Sequence, residues 1–263
     1  MTTVSVGGIT VGYDDEGTGP SLVLIHGHPF DRSMWGPQIS QFTSLGWRVI
    51  APDLRGYGES SVIPGSVAWS TFARDIGALL DQLKVGTVVL GGLSMGGQIV
   101  MEFHRLFPSR VRALMLADTS CHAETEDGRR ARHDQADRLL REGMRGYSDE
   151  VLPRMVAPGT ITALPAVAAH VMAMMLRTSP VGAAAALRAR ADRPDYADLL
   201  ARTSVPVLVV VGREDGFTPV ADAESMAGRI PNATLAVIDQ AAHLPNLERP
   251  ASFNQALHAA PLW

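Results

Sequence analysis

Gly92-Leu93-Ser94-Met95-Gly96 sets a serine between two glycines, each one residue removed from it. Chance alone produces that pattern in roughly one chain in ten of this length, so its surroundings carry the weight. It follows an apolar run, Thr87-Val-Val-Leu-Gly, and opens a helical stretch, Gly97-Gln-Ile-Val-Met-Glu-Phe. Strand, tight turn and helix in that order hold a serine in a strained, sparsely allowed backbone conformation. A serine hydroxyl at its free pKa is a poor nucleophile. It needs an adjacent base, and the base needs a third group to fix its tautomer.

Of eight histidines, His243 in Gln240-Ala-Ala-His-Leu-Pro-Asn lies between the last apolar run and the last helical stretch. Carboxyl ends of strands are where open parallel sheets build their sites, which makes His243 the candidate base. His26 is a second strand-end histidine, but it lies upstream of the serine and precedes Gly27, in a loop suited to shaping an oxyanion pocket. His104, His133, His170 and His258 fall in helical stretches and read as core or surface, while His122 follows a strand and stays open. Asp215 in Val211-Gly-Arg-Glu-Asp-Gly-Phe-Thr-Pro ends the preceding strand and is the candidate acid. Its neighbour Glu214, and Asp118 at the end of Ala113-Leu-Met-Leu-Ala-Asp, are the alternatives; Asp53 reads as a carboxylate that fixes a loop.

Such a set would perform nucleophilic acyl transfer, which also needs donors aimed at the developing oxyanion. The backbone N–H of Met95, at the head of the helix, is one. The other is assigned to His28, in the loop His26-Gly27-His28-Pro29-Phe30. The His28 side chain either lines the pocket or faces solvent. No cofactor and no metal are required.

Positioning these residues demands a particular frame. Leu22-Val-Leu-Ile, Trp47-Arg-Val-Ile-Ala, Thr87-Val-Val-Leu, Arg112-Ala-Leu-Met-Leu-Ala, Val205-Pro-Val-Leu-Val-Val-Val and Ala233-Thr-Leu-Ala-Val-Ile are continuous apolar runs, so these strands are buried on both faces. Helical stretches near 35–44, 68–83, 96–107, 219–229 and 248–260 alternate with them, which predicts a mostly parallel central sheet with helices on both faces. Thr3-Val-Ser-Val and Ile9-Thr-Val-Gly-Tyr flank Gly7-Gly8 and predict an N-terminal antiparallel hairpin. From 121 to 203 the alternation stops. This stretch is expected to be a helical cap inserted before the last two strands, dividing the chain into a core of 1–120 and 204–263 plus the insertion. Its charged segment around 126–141 is expected to pack as a solvated helix over the greasy segment around 163–176.

The remaining numbers exclude classes. With 263 residues, 46% of them hydrophobic, the chain has ample core for one domain carrying an insertion. A net charge of −4 with no dense basic block argues against nucleic acid. One cysteine, Cys121, forbids an internal disulfide or a cysteine-cluster metal site. No apolar run spans a bilayer and the N-terminus has no basic-then-apolar leader, so no membrane contact and a cytoplasmic location are expected.

The ordered set His26-Gly-His-Pro, Asp53-Leu-Arg-Gly-Tyr-Gly-Glu-Ser60, Gly92-Leu-Ser-Met-Gly-Gly97, Gly212-Arg-Glu-Asp215 and Ala242-His243 resembles the α/β-hydrolase superfamily over essentially the whole chain. Ser94, Asp215 and His243 follow one another in that superfamily's order, which differs from chymotrypsin's and subtilisin's. Within it, the short cap and Ala-His-Leu-Pro-Asn-Leu-Glu-Arg-Pro look most like 3-oxoadipate enol-lactonases and small bacterial carboxylesterases. The His-Gly-x-Pro loop is more similar to epoxide hydrolases, dehalogenases and cofactor-free haloperoxidases. Serine at position 94 disfavours the first two of these, which use an aspartate there. The resemblance implies a serine hydrolase acting on a small ester or lactone. Perhydrolysis by peroxide, carbon–carbon bond hydrolysis and a non-catalytic binding role are the alternatives. Methionines 144, 155, 172, 174 and 175 in the insertion suggest either core or an apolar pocket wall, hence an apolar substrate. The sequence leaves the oligomeric state open.

Overall fold

The computed structural model describes residues 2–261. Eight strands, β1 (Thr2–Val6), β2 (Ile9–Glu16), β3 (Ser21–Ile25), β4 (Arg48–Pro52), β5 (Val88–Leu93), β6 (Val111–Ala117), β7 (Val207–Gly212) and β8 (Ala233–Ile238), form one sheet. Their order across the sheet is β1-β2-β4-β3-β5-β6-β7-β8. The β1–β2 and β2–β4 pairs are antiparallel, and every other pair is parallel. Gly7 and Gly8, both at positive φ, close the two-residue turn between β1 and β2.

The central strands are apolar throughout because both faces are covered. Val23 and Ile25 of β3 face one cluster with Leu90, Leu114 and Val209, beneath helices α2 (Trp69–Gln82) and α3 (Met95–Leu106). Leu22 and Leu24 face the other, with Val89, Met115 and Leu208, beneath α1 (Gly36–Ser44). That alternation is the period-two geometry of a strand carrying apolar residues at every position. Strand order reverses around β3, whose neighbours are β4 and β5, so the loops leaving β3 and β5 part and open a crevice.

Six helices lie between β6 and β7 among the described residues: α4 (Glu126–Glu142), α5 (Arg145–Met155), α6 (Pro158–Ala163), α7 (Pro165–Arg177), α8 (Pro180–Ala191) and α9 (Ala197–Ala201). The charged α4 packs on α8, not on the greasy α7 as its charge pattern suggested; α7 rests on α5 and α6. Alanines 183–186 explain the difference, since their small side chains let the two helices approach closely. After β7 come α10 (Val220–Arg229), α11 (Pro245–Glu248) and α12 (Pro250–Ala259). The single last helix expected from sequence is thus two. Pro250 opens α12, and Arg249 before it leaves the helical region at φ −137, ψ 61. No helix is long and apolar enough to cross a membrane among the described residues.

The inserted segment is tied to helices α2 and α3 by a buried polar relay. The Tyr196 hydroxyl, just ahead of α9, accepts from Trp69 Nε1 at 2.7 Å and donates to Glu102 Oε2 at 2.9 Å. Tyr196→Phe strands the Trp69 donor and is expected to cost about 2 kcal/mol in urea denaturation; an unchanged midpoint would contradict the relay.

Candidate active site

Ser94 stands between β5 and α3 with φ 56 and ψ −118, a region L-residues rarely enter. Two glycines permit it. A Cβ on Gly92 would strike the backbone of Gly96, and one on Gly96 would strike the carbonyls of Ile25 and His26. The turn is pinned by Ser94 N–H donating to the Ala117 carbonyl at 2.9 Å and by Thr119 Oγ1 donating to the Ser94 carbonyl at 2.7 Å.

The carboxyl ends of β7 and β8 bring the other two groups in. His243 Nδ1 lies 2.8 Å from Asp215 Oδ2, both side chains buried. Asp215 also accepts from the Phe217 N–H at 2.8 Å and from the Thr218 hydroxyl. Burial would raise this carboxyl, but the His243 charge and the donors around it outweigh burial and hold it below the ordinary carboxylate value. Ser94 and His243 line one cavity of about 500 Å³. No hydrogen bond joins them directly, a contact that commonly tightens when substrate binds.

The alternatives fall elsewhere. Glu214 is exposed. Asp118 is buried beside the pair, its Oδ1 accepting the Gly212 N–H at 2.9 Å. His26 is fully buried, bonded to the Gly27 carbonyl through Nδ1 and to the Leu54 N–H through Nε2, so it joins two loops. Burial lowers its pKa, and the neutral ring donates from Nδ1 and accepts at Nε2. His122 is exposed and pairs with Asp195. Asp53 does fix a loop, accepting the backbone N–H groups of Arg32 at 2.8 Å and Glu59 at 2.9 Å.

Met95 is the first residue of α3, where N–H groups lack helical acceptors. His28 turns its side chain inward to the cavity, with Nδ1 2.8 Å from the Tyr57 hydroxyl. Burial, then the Arg190 and Arg132 charges, push the His28 pKa well down, so the ring is neutral. Its Nε2 has no protein partner.

The lining corrects the expectation of an apolar pocket. Tyr147, Val151, Met155 and Leu187 supply an apolar part, and Met155 alone of the five methionines contributes. Arginines 132, 154 and 190, together with Glu124 and Glu150, supply its charged part. Arg190 donates Nε–H to Gln98 Oε1 at 2.7 Å, and its terminal nitrogens make no protein hydrogen bond among the described residues. Burial, then Arg132 and Arg193, make its charge unfavourable. Glu124 pairs with both of those neighbours and not with Arg190. Gln135 Nε2 is also buried and unpartnered in this lining. Sequence reasoning missed Arg190, Arg132 and Gln135 because helical charge normally marks a solvated face.

A model described as the alpha/beta hydrolase fold matches residues 20–250. The chain belongs to the α/β-hydrolase family. This α/β-hydrolase is 31% identical over 240 residues to 3-oxoadipate enol-lactonase 2 of Acinetobacter baylyi, covering 91% of this chain and 88% of that one. Among solved structures it is similar to a thermophilic esterase from Thermogutta terrifontis with malate bound (TM-score 0.96, 38% identity, 98% and 97% covered). The enol-lactonase from Burkholderia xenovorans LB400 superposes with TM-score 0.91 at 26% identity, covering 98% of each chain. The protein is a hydrolase of carboxylic esters or lactones.

Sequence reasoning also passed over Glu248. Its buried carboxylate accepts the Ala242 N–H at 2.8 Å, the Ala157 N–H at 2.6 Å and the Thr160 hydroxyl at 2.6 Å, tying the His243 loop to α6. Glu248→Ala leaves two buried N–H groups unsatisfied and is expected to cost about 3 kcal/mol by chemical denaturation. A loss below about 0.5 kcal/mol, the size of an ordinary surface change, would reject the tie.

Proposed function

We propose that the α/β-hydrolase cleaves a carboxylic ester or lactone bearing a second, anionic carboxylate, with Ser94 as nucleophile, His243 as base and Asp215 as its orienting acid. The observation that carries this reading is one cavity lined by Ser94, His243 and Arg190, whose guanidinium has no carboxylate partner. Ser94 Oγ attacks the acyl carbon while His243 Nε2 takes the hydroxyl proton. The tetrahedral oxyanion is met by the N–H groups of His28 and Met95. Collapse breaks the bond to the alkoxide, which takes the proton back from His243; in a lactone that alcohol stays tethered to the acyl chain. Water then attacks the acyl-enzyme with His243 as base, and collapse frees the acid and restores Ser94. Asp215 stays ionised and favours the imidazolium.

The anionic group follows from the donors that Arg190 leaves free. Arg190 is half-buried with its Nε–H on Gln98, and its terminal nitrogens, which no protein group engages among the described residues, can meet a ligand carboxylate in the cavity with charge-assisted hydrogen bonds. Gln135 Nε2 adds a second donor. With Tyr57 donating to His28 Nδ1, the neutral His28 ring carries its hydrogen on Nε2 and offers a third.

Ser94→Ala is expected to lower kcat for ester hydrolysis by about 10⁴-fold or more with the fold intact by circular dichroism; undiminished turnover rejects the nucleophile. Arg190→Met is expected to lower kcat/KM about 10- to 100-fold on the monomethyl ester of a short dicarboxylic acid. The same variant should change the neutral dimethyl ester by less than about threefold. Equal losses on both esters would remove the anionic subsite and leave the serine chemistry standing.

A further inference from the structure

We infer that Asp118 is a neutral carboxylic acid in the working enzyme, and that it donates its hydrogen to the Asp215 carboxylate as a positioning residue for His243. The inference rests on the proposed roles of Ser94, His243 and Asp215. Asp118 ends β6, beside the β7 end that carries Asp215, and its backbone turns at φ 45 to deliver the side chain inward. Aspartate is among the few residues that tolerate that conformation. The side chain is buried, and ligand atoms of Asp118, Asp215 and His243 lie within 4.8 Å of one another.

The donors around the two carboxyls are unequal. Asp215 has the His243 imidazole, the Thr218 hydroxyl and the Phe217 N–H. Asp118 has the Gly212 N–H alone, on Oδ1, and its Oδ2 is buried with no partner. Two carboxyls at this separation in a dry site do not both ionise, so one proton is shared, and it resides on the oxygen with fewest donors. A hydrogen on Asp118 Oδ2 satisfies that atom and adds a fourth donor to Asp215. Burial, the Asp215 charge and the more distant Glu248 all raise the Asp118 carboxyl, against the Gly212 N–H, and the net direction is strongly upward. The groups facing it are therefore Asp215, His243 and Glu248.

The consequence for catalysis passes through Asp215. A further donor on Asp215 restricts rotation of the carboxylate that meets His243 Nδ1 and moderates its basicity. Asn at 118 keeps both functions, since its carbonyl accepts from Gly212 and its amide donates to Asp215. Alanine keeps neither.

The direct test is infrared difference spectroscopy of wild type against Asp118→Asn at pH 7. The carbonyl stretch of a protonated carboxyl is expected in wild type and absent in the variant. Asp118→Ala is expected to lower kcat on the order of tenfold with KM nearly unchanged, and to move the acid limb of kcat/KM upward; Asp118→Asn restores both. Stability supplies a second sign. A carboxyl raised by folding contributes stability below its unfolded value and loses it as pH rises towards its folded value, so the Tm of Asp118→Asn should gain on wild type from pH 5 to 8. No protonated band, or an acid limb that Asp118→Asn moves downward as loss of a negative neighbour would, overturns the inference. The band and the Asp118→Asn data decide it even where Asp118→Ala fails to fold. Read in the Ser94→Ala background, the band also separates failure here from failure of the nucleophile assignment.

Discussion

The backbone of Ser94 is held where an L-residue costs about 1–3 kcal/mol, and the turn between β5 and α3 stands only while that constraint is met. The sheet meets it by contact. Gly92 and Gly96 let the turn fold against itself and let α3 press onto the end of β3, where any Cβ would collide with backbone. Hydrogen bonds to Ala117 and from Thr119 close the turn from the β6 side. The strain is therefore offset by the packing of three neighbouring strands rather than by anything local, and the same packing brings Ser94 and the His28 loop after β3 to one cavity.

Charge in that crevice is distributed unevenly. On the sheet side, carboxyls gather behind His243: Asp215 fixes the ring, Asp118 lies beside it, and Glu248 anchors the loop that carries the ring. On the side of the inserted helices, Arg132 and Arg193 pair with Glu124, and Arg190 beside them does not. Arg190 is steadied by Gln98, one turn along α3 from the serine, so the helix that presents the serine also presents the cation. Under the proposed function, orientation of an anionic ester and activation of the hydroxyl refer to one rigid element, which limits the misalignment that costs rate.

Much of the frame was legible in the chain. Apolar runs without alternation required two covered faces, and the strand, turn and helix around Ser94 followed from glycine spacing and helical periodicity. His243 and Asp215 were singled out because each follows a strand, a position visible locally, and the structure sets them 2.8 Å apart. The expected last helix was split where proline intervened, at Pro250, and small side chains on α8 gave α4 a different packing partner. Arg190, Gln135 and Glu248 were not legible. Each takes its place in the site from segments far away in sequence, and on a helix each reads as an ordinary charged or polar position.

Residue types and their spacing by themselves determined the parallel sheet, the strained serine turn and the order of serine, acid and histidine, because those depend on short-range sterics and burial patterns. Tertiary structure alone decided which carboxyl touches His243, which way the His28 ring turns, and whether the charge of the inserted helices faces water or the cavity. Those outcomes depend on distances between segments roughly 30 to 100 residues apart, and an interaction of that range leaves no periodicity in the sequence for a reader to find.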